Sequence, residues 1–493
     1  MTLAKPEDFK AVIGKGKSRK EAYQNSIKDL DGLSTIIKNK DKIFIKCNLR
    51  LPNGFPTNTS FEMIKQVVSS CKAAGATEIY VGDVPYEGIS LKKMDDLLGI
   101  NSFLKEIGAK LAFLDNSQYF RSDELDQDQL TLKKHQTFEE INQGENTYLY
   151  PKAVLDCDKF ILLNQVNVTP LFKIRYAIAS TFSLISNDQQ KIINPQTVDK
   201  EYLEEDEYKK ELISKMIEVY SINPPDLVIN DCFYLMEGAG PYIYQKSQLK
   251  KTDLMVVSSS ALAADLILQH LCELDISEDH LLAECKERKL GPVDLSEIDL
   301  IGGISKLNDY KIDIDLPVTR TDLIHLKNLS IKEGLMCSGC KRSLYHLLNL
   351  IDSNMVKDLK YIGKNSLLAG QDPPNHDKHY SDNIIVFGDC AIKSTPEAEF
   401  REIRTQKEKI SFLEFLKSKF KTDYEPKTTL KEKVKENENI LEISGCPPRL
   451  ADTVQGLIDY FGEKELPQLS LFNNMINLSV CEDKEQLKEW EKL

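Results

Sequence analysis

The 493-residue chain has no stretch approaching about 18 uncharged apolar residues, so no segment reads as a transmembrane helix. Segments such as 176–185 have only the length of a buried strand or helix. Excess positive charge is also missing. A formal net charge of −13 leaves no general basic footprint to replace counterions on nucleic acid, so no nucleic-acid partner is expected. The opening residues, Met1-Thr2-Leu3-Ala4-Lys5-Pro6-Glu7, carry no apolar run and no processing site, which points to a cytoplasmic protein rather than a secreted one. Direct membrane insertion is not expected. There is no internal repeat and no low-complexity tract. His-Glu-x-x-His, Gly-x-Ser-x-Gly and the full Gly-x-Gly-x-x-Gly are absent too, which removes a zincin, a serine hydrolase and a Rossmann dinucleotide site from consideration.

What is present includes eleven cysteines. Seven of them, Cys47, Cys71, Cys157, Cys232, Cys272, Cys285 and Cys481, lie among apolar or helical patterns, where cysteine behaves as a small hydrophobe. The odd total and the missing export signal argue against a disulfide framework. The remaining four have distinctive surroundings. Cys337 and Cys340 form a Cys-Ser-Gly-Cys pair, which lets two thiolates from one turn face a single centre. Cys390 follows an apolar run in Val386-Phe387-Gly388-Asp389-Cys390-Ala391, and Cys446 follows another in Ile443-Ser444-Gly445-Cys446-Pro447-Pro448. Both therefore sit at the carboxyl ends of expected parallel strands, the edge at which open α/β folds place ligands. Soft thiolate ligation selects zinc, Cu(I) or iron-sulfur. Zinc usually takes two close pairs in a small module. One pair plus two distant singletons suits a [4Fe-4S] cluster in a substantial domain better, with zinc as the lesser choice.

A chain of this size predicts two or three domains. Residues 42–46, 78–82 and 110–114 read as strands, with a helix at 61–74 closed by Gly75, so crossover units on a mostly parallel sheet are expected. Further strands are expected at 159–163, 226–230 and 254–257, with a helix at 261–272. The expected organisation is α/β throughout: a mostly parallel N-terminal domain over 1–325 with a surface excursion near 195–220, a smaller α/β cluster-binding domain over 326–470, and a tail or helix over 471–493. Within the second domain, helices are expected at 341–350, 396–420 and 450–461, and strands near 359–362, 383–388 and 439–443. The lysine and glutamate run at 426–438 reads as solvated surface.

The order Cys337-Ser338-Gly339-Cys340, Gly388-Asp389-Cys390-Ala391 and Gly445-Cys446-Pro447-Pro448-Arg449 resembles the cluster-binding small subunit of nickel-iron hydrogenases and its relative in respiratory complex I. The resemblance is confined to these motifs. It implies [4Fe-4S] ligand roles for Cys337, Cys340, Cys390 and Cys446, with Arg449 as a donor behind them, and it does not imply hydrogenase activity. His346, on the helix after the cysteine pair, reads as a surface or core residue before a neighbour of the metal.

Lys46-Cys47-Asn48-Leu49, Pro56-Thr57-Asn58-Thr59 and Val81-Gly82-Asp83 look like the opening of the family called domain of unknown function 362. Residues 225–231, 236–241, 263–265 and 301–303 extend the likeness to about 40–303. It implies an α/β fold and an association with iron-sulfur and anaerobic redox proteins. The chain departs from the family pattern at Cys47, where proline is typical, and at Gln165-Val166-Asn167, where Lys-x-His is common.

Independently, Lys46, Asp83, Asp231, Glu237 and Asp265 lie at or just beyond expected strand ends or helix starts. Such carboxylates suit a divalent cation or acid-base work, and Lys46 suits neutralising an anionic substrate. Asp83 and Asp265 equally suit capping turns or helices. The 238–241 segment reads as a tight turn, not a phosphate loop. Three functions are thus expected in order: an iron-sulfur redox protein or reductase passing electrons to a small-molecule acceptor or partner protein, a non-redox metal-dependent enzyme with a structural cluster, and an assembly component of an oxidoreductase. Oligomer formation is compatible with each.

Overall fold

The computed structural model describes residues 9–86, 91–112, 114, 137–186, 189–190, 192, 206–275, 280–375, 382–398, 401 and 439–477. The first eight strands are β1 (Lys10–Lys15), β2 (Lys42–Lys46), β3 (Glu78–Gly82), β4 (Lys110–Leu111), β5 (Phe138–Gln143), β6 (Asn146–Pro151), β7 (Lys159–Thr169) and β8 (Lys173–Ile174). The next four are β9 (Leu227–Glu237), β10 (Gln248–Lys251), β11 (Leu254–Ser258) and β12 (Asp299–Leu300). Four more, β13 (Leu329–Glu333), β14 (Asn365–Ala369), β15 (Asn383–Phe387) and β16 (Ile440–Ile443), follow among the described residues.

The larger sheet runs β12-β1-β11-β9-β7-β2-β3-β4, with β10 on β9 and β8 on β7. Strands β9, β7, β2, β3 and β4 pair in parallel, whereas β11 is antiparallel to both β1 and β9. The result is the expected mixed α/β architecture on a mostly parallel sheet. Central strands of such sheets are covered on both faces, which is why Ile43, Phe44 and Ile45 are all fully buried in succession. Two apolar cores flank the sheet. Helix Phe61–Ala73 supplies one face with Met63, Ile64, Val67, Val68 and Cys71; Ser60 caps its start by accepting from Met63 N–H, and Gly75 ends it at φ +103°. Helix Ala261–Leu271, buried along nearly its whole length, packs on the other.

The second sheet is all-parallel in the order β13-β14-β15-β16. Helix Ser338–Asn354 connects its first two strands, and helix Leu450–Phe461 follows the last. The apolar core on one face of the larger sheet continues into this one through Leu212 and Met216 on one side and Leu344 and Leu348 on the other.

Several expectations shift. The excursion near 195–220 is, over its described part, helix Glu207–Ile222, with Tyr208, Leu212, Ile213, Met216, Ile217, Val219 and Tyr220 buried. Its apolar residues recur at helical spacing, and that stripe, not the charge between it, decides where the helix sits. Residues 193–205 of that excursion lie outside the described residues, as do most of the expected 396–420 helix, the 426–438 run, Cys481 and the 478–493 tail. Near 359–362 there is a single turn, Asp358–Lys360, and the strand comes later as β14. Strand β1 and the β5–β6 hairpin were not expected. Among the described residues, no helix is long and apolar enough to cross a membrane.

Candidate functional site

The four cysteines meet at the carboxyl edge of the smaller sheet. Cys337 is the cap residue of helix Ser338–Asn354 and Cys340 lies within its first turn, while Cys390 and Cys446 follow β15 and β16. Cys337, Cys340 and Cys390 are 2%, 1% and 4% exposed, and Cys446 is half-buried. The neighbouring Cys337 and Cys390 thiols, together with burial, raise Cys340 well above the ordinary thiol value. The same contacts hold Cys337 and Cys390 below that value, and the backbone amides of Cys340 and Gly339 add to the effect on Cys337. Cys446 sits beside Cys390 and Cys337 and is pushed up to about 12, chiefly by burial. Among the described residues, no group of three or more His, Cys, Asp or Glu side chains is arranged around a point that would hold a metal ion. The Cys337, Cys340 and Cys390 thiols act on one another's titration as near neighbours, and Cys446 feels the charge of Cys390 and Cys337.

Two glycines make the close approach feasible. Gly388, at φ +91°, stands where an added Cβ would touch Cys340 Sγ at 3.6 Å, and Gly445, at φ +132°, lies against Pro448. The Asp389 carboxylate accepts from Gly445 N–H at 2.7 Å and ties the two strand-end loops together.

The Cys-Ser-Gly-Cys loop is also fixed to the larger sheet's side of the molecule. Asp206 accepts from Ser338 N–H at 3.1 Å and from the Ser338 hydroxyl. Gly339 lies so close to Tyr208 that an added Cβ would meet its ring at 2.8 Å, and Arg342 donates to the Tyr208 hydroxyl at 2.6 Å. The 238–241 segment is a turn whose Gly240 N–H and C=O both bond the Tyr345 hydroxyl, at 3.0 and 3.1 Å. His346 pairs with the Tyr244 hydroxyl at 2.8 Å and, pushed down to about 3 by burial and Arg342, is neutral at physiological pH. Arg449 lies at the exposed start of helix Leu450–Phe461 with Nε 3.9 Å from Asp452.

The five polar candidates of the larger sheet do not gather into one site. Lys46 and Asp83 do meet, at 3.3 Å, both fully buried. Lys46 also donates to Ser180 Oγ at 3.0 Å, and Asp83 accepts from Ser183 Oγ at 2.7 Å, from Val84 N–H at 2.9 Å and from Leu49 N–H at 3.3 Å. Burial pulls Lys46 below the ordinary lysine value against the opposing pull of Asp83. Asp265 accepts from Ala177 and Ile178 N–H at 2.8 and 3.0 Å, capping helix Ala177–Thr181 from a distant part of the chain. Glu237 faces Lys250 at 3.2 Å and accepts from Asp315 N–H at 3.1 Å.

Asp231 is a different case. It contacts Arg19 at 3.1 Å, a charge pair that lacks hydrogen-bond alignment, and Arg19 in turn stacks on Phe55 at 4.5 Å. Burial raises Asp231 to about 6, with Arg19 opposing. The native state therefore keeps a proton that the unfolded chain releases near the ordinary carboxyl value. The stability this contributes is complete below that value and is lost as pH rises through about 6. Relative to Asp231→Asn, the wild-type unfolding free energy should fall by about 2–3 kcal/mol between about pH 4 and pH 7, measured by urea denaturation. A pH-independent difference between the two proteins would contradict this assignment.

A separate cavity of ≈ 380 Å³ is lined by Phe172, Lys173, Lys209, Asp275 and Pro317 among others, and neither the four cysteines nor the five polar candidates line it.

Residues 43–269 match the family model described as Domain of unknown function (DUF362). The match takes in Lys46, Asp83, Asp231, Glu237 and Asp265 and leaves the four cysteines outside. No curated protein matches the chain.

Proposed function

We propose that the protein is an iron-sulfur redox protein or reductase in which Cys337, Cys340, Cys390 and Cys446 hold one [4Fe-4S] cluster that exchanges electrons with a substrate or partner protein. The observation that carries this reading is the meeting of four thiols from one helix start and two strand ends in a single, largely buried neighbourhood. The donor chemistry fits: thiolate sulfur is the preferred ligand of such clusters. When bound, the cluster supplies single-electron transfer, tuned by burial and by N–H groups near sulfur.

The chain's own residues do the rest. The Gly339 and Cys340 amides favour a thiolate at Cys337, and Gly388 lets backbone approach the Cys340 sulfur without a side chain between. Asp206 and Tyr208 hold the Cys337–Cys340 loop against the larger sheet's side. The ordered motif resemblance to hydrogenase and complex I subunits supports the same reading. Anaerobic purification followed by iron, acid-labile sulfide and reduced-state EPR measurements tests it. Iron and sulfide in equal amounts with a paramagnetic reduced state are expected; zinc with no sulfide would sink the proposal.

A further inference from the structure

Where helix Ser338–Asn354 approaches the larger sheet, three guanidinium groups lie within electrostatic reach of one tyrosine hydroxyl. Arg50 and Tyr86 come from the loops after β2 and β3, Tyr242 from the loop after β9, and Arg342 from the helix. The loops after β2, β3 and β9 belong to the carboxyl edge of parallel strands, where α/β sheets bind ligands. The Tyr242 hydroxyl is the common neighbour, coupled electrostatically to Arg50, Arg175 and Arg342 together. Arg50 lies 5.5 Å over the Tyr86 ring, and Tyr86 meets Tyr242 edge-on at 6.5 Å. All five residues are half-buried, reachable by solvent yet walled by protein.

Arg175 is the informative member. Arg342 donates to Tyr208, and Arg50 donates to Val84 C=O and Gln190 Oε1 at 3.3 and 3.0 Å. Among the described residues, the Arg175 guanidinium has neither hydrogen bond nor ion pair. Its nearest carboxylate influence, Asp83, is already committed to Lys46 and Ser183. Burial, reinforced by the like charge of Arg50, pulls Arg175 down to about 10. A charged fork of five donors held partly out of water without a partner is unfavourable, and a second and third guanidinium nearby make it more so. A bound anion removes both penalties at once.

We propose that Arg175, Arg50 and Arg342 form a binding site for the oxyanion, carboxylate or phosphate, of a small flat ligand, with Tyr86 and Tyr242 flanking it. The planar guanidinium forks take up the oxyanion, and the aromatic walls select a flat body over a bare ion. The site stands on these residues alone and does not depend on what the cysteines hold.

Calorimetric titration of the full-length protein with inorganic phosphate, phenyl phosphate and benzoate tests the assignment. One of the two aromatic anions should bind saturably and more tightly than inorganic phosphate, and which one wins identifies the oxyanion. Arg175→Met should weaken that binding by about tenfold or more, the usual effect of losing a hydrogen bond to a charged group. Without ligand the variant should melt no lower than wild type, because no protein partner is lost. On the wild-type protein, the bound anion should slow phenylglyoxal modification of Arg175, followed by mass spectrometry. The proposal is overturned by the absence of saturable binding for all three probes, by equal affinity in Arg175→Met, or by modification of wild-type Arg175 at the same rate with and without the tighter anion.

Discussion

If the four cysteines hold the proposed [4Fe-4S] cluster, replacing Cys340 with serine is expected to strip iron and sulfide almost completely, from about four irons per chain to fewer than about one. Cys340 is chosen because its sulfur is the one in contact with both Cys337 and Cys390, at 1% exposure. A serine hydroxyl is a hard donor that stays protonated at neutral pH, so it cannot stand in for a soft thiolate. Metal-site binding energy is also folding energy, so the variant should melt at the temperature of chelator-treated wild type rather than that of the loaded protein. Cys71→Ser supplies the control. That thiol is equally buried, but in the core under helix Phe61–Ala73, and burial raises it to about 12. The control should lose stability as a core polar substitution does and keep its iron. Iron analysis and the visible spectrum of anaerobically prepared protein decide the matter: equal iron in Cys340→Ser and wild type would exclude the ligand role.

The cysteine set was legible because its signal is local in sequence. A Cys-x-x-Cys pair at a helix start and two Gly-containing strand ends keep their meaning whatever the rest of the chain does, and parallel pairing then brings β15 and β16 to the same edge. The parallel strands of the larger sheet were legible for a related reason, since Ile43, Phe44 and Ile45 form a continuous apolar run. The grouping of the five polar residues was not. Asp231 had looked like a strand end, yet β9 runs six residues further, because burial on both faces lets polar and apolar residues alternate without ending the strand. Asp265 and Glu237 found partners in helix Ala177–Thr181 and in Lys250, which no sequence spacing relates to them. The antiparallel β11 inserted between β1 and β9 is a matter of long-range order for the same reason. Arg175 had no motif around it. Its only sequence signal was one cation in the otherwise apolar run Ile174-Arg175-Tyr176-Ala177-Ile178, a pattern that marks a buried charge without saying what it faces.

The buried Lys46–Asp83 pair is where single substitutions of the larger sheet should be most damaging. Asp83→Asn removes the carboxylate charge and leaves Lys46, with its side chain 1% exposed, facing Ser180 Oγ at 3.0 Å. Breaking a buried pair from one side typically costs about 3–5 kcal/mol, because a buried charge is left uncompensated. Lys46 has an escape. Burial already pulls it below the ordinary lysine value, and without Asp83 nothing comparable opposes that pull, so the ammonium can shed its proton in the native state. The native variant then binds fewer protons than the unfolded chain, and its stability rises with pH from the depressed native value toward the ordinary one. Asp83→Asn should therefore be most destabilised near about pH 6 and recover part of the loss near about pH 9. Lys46→Met should cost less, since Asp83 still accepts from Ser183 Oγ, Val84 N–H and Leu49 N–H. The double variant, with neither charge buried, should be more stable than the two single losses added together predict, by about 1–3 kcal/mol. Urea denaturation of the four proteins at both pH values measures each of these terms. A small, pH-independent loss in Asp83→Asn, or strict additivity in the double variant, would mean that the two side chains pack beside each other without holding each other's charge.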